Sequence, residues 1–98
     1  MTNLHFAAWT GNREIVEMLV QDGEDATVQD SYGWTALHLA VWNMHTDVVR
    51  FLLVVAARIP WVSIQTQGGS TALHLATHNN DVEVINILLN AGAEISRH

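Results

Sequence analysis

The chain has 98 residues, 49% of them apolar and 14% charged, a composition that builds a packed core and excludes the disordered class. Its net charge of −6 sets ten acids against four arginines (Arg13, Arg50, Arg58, Arg97) with no lysine, a balance that repels phosphate backbones and anionic lipid and so argues against nucleic acid or a membrane surface as partner. Cysteine is absent, which excludes disulfide staples and thiolate zinc sites and makes an intracellular setting, cytoplasmic or nuclear, the expectation.

In chain order, the first predicted element is a short helix over 3–10, opened by Thr2-Asn3-Leu4-His5-Phe6-Ala7. A second helix follows over 13–22 (REIVEMLVQDG), its apolar pairs recurring four apart with a helical rather than a strand period. Asn12 caps its start, and Gly23 takes the left-handed position beyond its end. The turn DSYG leads to Thr35-Ala36-Leu37-His38-Leu39-Ala40 and a helix over 36–43, then to TDVVRFLLVVA and a helix over 46–57. Pro60 disfavours helical geometry in the residue before it, so this helix is expected to run on as far as Ile59. After the turn TQGG, Thr71-Ala72-Leu73-His74-Leu75-Ala76 opens a helix over 72–79, and Asp81 caps a last helix over 82–91 that ends at Gly92.

One unit is thus written three times, with His5, His38 and His74 spaced 33 and 36 residues apart. The T-x-L-H-x-A hexapeptide, the I/V-V-x-x-L-L run and the Gly92-Ala93 ending make the chain resemble an ankyrin-repeat protein over nearly its whole length. The resemblance implies an all-α fold, an ankyrin-repeat solenoid of three stacked helix-turn-helix units with hairpin-like connecting loops. A single domain over 1–98 is expected: repeat one at about 2–29 without its leading loop, repeat two at about 30–65 with a three-residue insertion, and repeat three at about 66–98.

The pattern departs from the family in four places. The proline usual after the threonine is Asn3, Ala36 or Ala72. The glycine between paired helices is kept as Gly11 but becomes Met44 and Asn80, and a left-handed methionine costs roughly 1–2 kcal/mol. Ala56 replaces a helix-ending glycine within the lengthened segment Val54 to Gln65, which also carries Trp61, either a local plug or a second contact. Neither end carries a polar capping repeat, so apolar surface is expected at both ends, and the chain reads as a minimal ankyrin protein or a structural segment of a longer ankyrin array; a monomer is the expectation, with self-association through uncapped ends as the alternative.

Catalysis finds no support: no serine lies in a nucleophile elbow, and Gly68-Gly69 is a turn without a following lysine. His74 and His78 stand four apart, a metal-ligand spacing with no third ligand, so no metal and no cofactor are expected; His45 and His98 read as solvated. By the resemblance, each motif threonine bonds its histidine (Thr2 with His5, Thr35 with His38, Thr71 with His74), and the second imidazole nitrogen reaches a neighbouring loop carbonyl. Ile15/Val16 with Leu19/Val20, Val48/Val49 with Leu52/Leu53 and Val84/Ile85 with Leu88/Leu89 form the core.

The resemblance also marks a concave face of first-helix ends and loops. It carries Trp9, Trp42, Asn43, His78 and Asn79 on the helices, Asp30, Tyr32 and Trp34 on the first full loop, and Gln67 on the second, together with Thr10, Gln29, Ser31, Gln65, Thr66 and Ser70. Tryptophan and tyrosine supply most interface hot spots, so a non-catalytic module binding another protein, a basic one given the charge, is the expected function. The competing reading has Trp9 and Trp42 stacked on one another as shields. A weaker resemblance, carried by LHLAV and the irregular long link, is to the inhibitor-of-NF-κB type and implies a basic Rel-homology dimer as partner.

Overall fold

The threonine at the head of each hexapeptide decides where a helix begins. Thr2, Thr35 and Thr71 each keep an extended backbone (φ −85°, −94° and −91°), and their Oγ1 atoms accept from the backbone N–H of His5, His38 and His74 three residues on. The imidazole in turn accepts at Nδ1 from the threonine's own N–H, at 3.1, 3.0 and 3.0 Å. A histidine thus occupies the place that glutamate or glutamine takes in the usual reciprocal cap.

The computed structural model describes residues 2–55 and 64–91, and among these the chain is all-helical, with six α-helices. They are α1 (Asn3–Thr10), α2 (Arg13–Gln21), α3 (Ala36–Trp42), α4 (Thr46–Val55), α5 (Ala72–His78) and α6 (Val82–Asn90). Asn12 and Asp81 cap α2 and α6 through their side-chain oxygens. The turn inside each pair needs one left-handed residue, supplied by Gly11 (φ 80°), Met44 (φ 61°) and Asn80 (φ 57°). Gly11 has a second reason to lack a side chain, since a Cβ there would fall 2.5 Å from Nδ1 of His45. The extension toward Ile59, Pro60, Trp61, the Gly92-Ala93 ending and His98 lie outside the described residues.

The helices form two layers. α1, α3 and α5 pack in series, α2, α4 and α6 pack behind them, and each first helix contacts the second helix of its own pair. Between the layers lie Leu4, Leu37, Val16, Val48, Val49, Leu52, Val84 and Leu88, all at 1% exposure or less. Fully burying one such side chain is worth roughly 1.5–3 kcal/mol. Leu19, Val20, Leu53, Ile85 and Leu89 are half-buried against this core. Ile15 departs from its expected core position and is 43% exposed. Its counterpart Val48 sits on the helix that has α2 on one side and α6 on the other, whereas α2 is flanked by α4 alone.

Candidate functional site

The described stretches that lead into α3 and α5 carry the same turn. Asp30 N–H donates to the Trp34 carbonyl and Thr66 N–H to the Ser70 carbonyl, both at 2.9 Å, while Gly33 and Gly69 close each turn back onto Asp30 and Thr66. The loops are also tied to one another. Gln67 N–H donates to the Tyr32 carbonyl at 2.9 Å, and the Gln29 amide donates to the carbonyls of Gly33 (2.9 Å) and Gln65 (3.0 Å). A Cβ on Gly33 would lie 2.6 Å from the Gln67 backbone nitrogen, so only glycine permits this approach.

The histidines tie helices to these loops. His5 and His38 are buried. Because Nδ1 accepts from a backbone N–H, the ring proton sits on Nε2, which donates to the Trp34 carbonyl at 2.9 Å from His5 and to the Ile64 carbonyl at 3.1 Å from His38. Burial holds the His38 imidazole below the ordinary histidine range, opposed by its bond to the Ile64 carbonyl. His74 shares the bonds to Thr71 but is exposed.

Against this scaffold the aromatic residues line a shallow recess of about 250 Å³, walled by Trp9, Asp30, Tyr32, Trp34, Leu39 and Trp42. Trp9 is 44% and Tyr32 70% exposed. Trp34 and Trp42 are half-buried, their rings meeting edge to face at 6.1 Å and 82°. Trp34 also meets His38 edge-on at 5.9 Å. The ring that Trp42 stacks upon is that of His78, at 5.3 Å and 22°, rather than that of Trp9. Two indoles are thus each packed against an imidazole, and two aromatic rings stand further into solvent.

Several residues expected on this face have other engagements. The amides of Asn43 and Asn79 donate to the carbonyls of Trp9 (2.9 Å) and Trp42 (2.8 Å), each on the preceding first helix. They clamp one pair to the next, because helix-end carbonyls lack partners within their own helix. Thr66 is buried, and its hydroxyl accepts from Ser70 N–H at 3.2 Å. Oδ1 of Asp30 accepts from both Tyr32 N–H and Trp34 N–H at 2.9 Å. His45, read from the sequence as solvated, is half-buried, with Nε2 donating to the Trp9 carbonyl at 2.9 Å. Its position after the turn carries no motif, so only packing reveals that role. Gln67 and His78 remain exposed.

Repeated pairs, histidine-capped first helices and loops stitched edge to edge agree with what a comparison of families finds. The family model described as ankyrin repeats (3 copies) matches residues 4–98. The chain belongs to the ankyrin-repeat family. Among curated ankyrin relatives, it is 40% identical over 55 residues to Notch-regulated ankyrin repeat-containing protein A of Danio rerio, covering 56% of this chain and 49% of that protein. The human Notch-regulated ankyrin repeat-containing protein matches at the same identity and length, with 48% of its own chain covered. Human protein phosphatase 1 regulatory subunit 27 is 41% identical over 54 residues, covering 55% of this chain and 35% of that one. The matched region therefore spans half or less of these relatives. Among the described residues no helix is long and apolar enough to cross a membrane, and no three His, Cys, Asp or Glu side chains gather as metal ligands.

Proposed function

We propose that this ankyrin domain is a non-catalytic binding module whose partner protein docks on the concave face, with Trp9, Tyr32, Trp34 and Trp42 as anchors. The observation that carries the reading is the aromatic recess itself: two half-buried indoles held at a right angle beside two exposed rings. Rigid aromatic area with a polar handle is what interface hot spots are made of. Asn43 and Asn79 drop out of the contact set, their amide donors being engaged within the stack. Gln67 and His78, both exposed, stay in it, as does Asp30 in the recess wall, through the oxygen that does not hold the turn.

Ankyrin repeats are in general protein-interaction modules, and relatives whose names mark one as Notch-regulated and another as a phosphatase regulatory subunit fit a binding role rather than an enzymatic one. The Rel-type partner implied by the weaker resemblance is supported by the net charge of −6. Affinity capture with the wild type, a Trp9→Ala/Tyr32→Ala variant and a Met18→Ala variant tests the face, with a Rel-homology dimer as one defined probe. Partners lost only from the double variant support the reading. Partners retained by it, or lost equally from the α2 variant, overturn it.

A further inference from the structure

Resting on that reading, we infer that the aromatic recess is a seat for an arginine side chain presented by the partner polypeptide. Trp34 and Trp42 stand at 82° to one another, and together with Trp9 and Tyr32 they surround about 250 Å³ of open space. Ring faces carry negative quadrupoles that attract a cation, and indole does so best. A carboxylate completes the wall. Asp30 offers Oδ1 to two backbone N–H groups, which fixes its plane, while Oδ2 takes neither of those bonds.

The chain supplies no cation of its own to this place from the described residues. Arg13 is paired with Glu17 at 3.0 Å and Arg50 with Glu83 at 2.8 Å, both on the second-helix layer. The net charge of −6 favours the approach of cationic partners to the protein as a whole, and Asp30 places a carboxylate in the recess wall itself.

Guanidinium fits the combination better than other cations. It is planar and weakly hydrated, and it can lie against an indole while an edge N–H donates to a carboxylate. An ammonium group is compact and strongly hydrated, so it gives up more on leaving water. A quaternary methylammonium has no N–H to place on Asp30.

The test uses the whole chain and four capped pentapeptides, Gly-Gly-X-Gly-Gly, with X as arginine, citrulline, lysine or trimethyl-lysine. Binding is followed through the indole Nε1–H resonances and by calorimetry. Arginine is expected to shift the Trp9, Trp34 and Trp42 signals and to bind about 5–30-fold more tightly than citrulline. Asp30→Asn keeps an Oδ1 acceptor for the turn but removes the charge, and is expected to weaken arginine binding by about tenfold. Trp9→Ala, which removes an exposed wall, serves as the second variant should Asp30→Asn unfold. Equal binding of citrulline, tighter binding of lysine or trimethyl-lysine, or no loss in a folded Asp30→Asn or Trp9→Ala protein overturns the arginine assignment. Failure here alongside face-dependent partner capture removes only the arginine seat, whereas failure of the capture experiment removes the docking face as well.

Discussion

The first and middle helix pairs carry the same motif and meet different surroundings. Phe6, Leu39 and Leu75 hold equivalent places in the three hexapeptides, yet Phe6 is 58% exposed while Leu39 and Leu75 are 4% and 7% exposed. In the second helices, α2 buries Val16 fully, whereas α4 buries Val48, Val49 and Leu52. The middle pair is packed on both sides, by α1 and α5 in one layer and by α2 and α6 in the other, and the first pair on one. In a stacked repeat, burial belongs to the neighbours as much as to the unit, and the same apolar letter is core or surface according to its place in the row.

The largest expected effect tests this contrast in the core. Leu52→Ala should cost about 2–5 kcal/mol in urea unfolding, and Leu19→Ala, its counterpart in the half-buried stripe of α2, less than half as much. Equal losses would mean that the pairs are not distinguished by their neighbours.

The buried histidine is next. His38→Ala should cost about 1–3 kcal/mol, because it leaves the Ile64 carbonyl and the Thr35 N–H without their partner, and His74→Ala, on the exposed histidine, should cost less. The sign of the pH dependence follows from burial. The folded His38 pKa lies below the unfolded value of about 6.5, so as pH falls the unfolded chain takes up the proton first. The stability His38 contributes is therefore complete above the unfolded value and is lost as pH falls through the depressed folded one. Unfolding free energies taken from roughly pH 7.5 to pH 5 should decline less steeply in His38→Ala than in the wild type; parallel declines would contradict the burial argument.

The smallest effect sharpens the contrast at the turns. Gly11 is replaced in the middle pair by Met44, which holds φ 61°, so Met44→Gly should stabilise the protein by about 0.5–1 kcal/mol. Asn80→Gly should gain less, since asparagine tolerates the left-handed region. A destabilised Met44→Gly protein in thermal unfolding would show that the exposed methionine contributes packing that outweighs its backbone strain.

Much of this was legible from local chemistry. Asn12, Asp81 and Gly11 mark helix ends and a turn because their interactions close within a few residues, whereas the Thr35–His38 bond was implied by the family resemblance and its part in capping the helix start was seen only in the structure. The recess was legible in part, as a set of aromatic positions without depth. The sequence did not distinguish the exposed rings of Trp9 and Tyr32 from the half-buried ones of Trp34 and Trp42, nor show that Asn43, Asn79 and His45 face inward to carbonyls more than thirty positions away.

By itself, then, the amino-acid order determined the helical units, their number and the caps of α2 and α6, because each depends on interactions only a few residues long. The tertiary structure decided which faces stay open, how two indoles come to stand at a right angle, and which polar side chains are engaged inside the stack. Those outcomes rest on contacts between units, and what lies opposite a side chain is set by the packing of the row rather than by its neighbours along the chain.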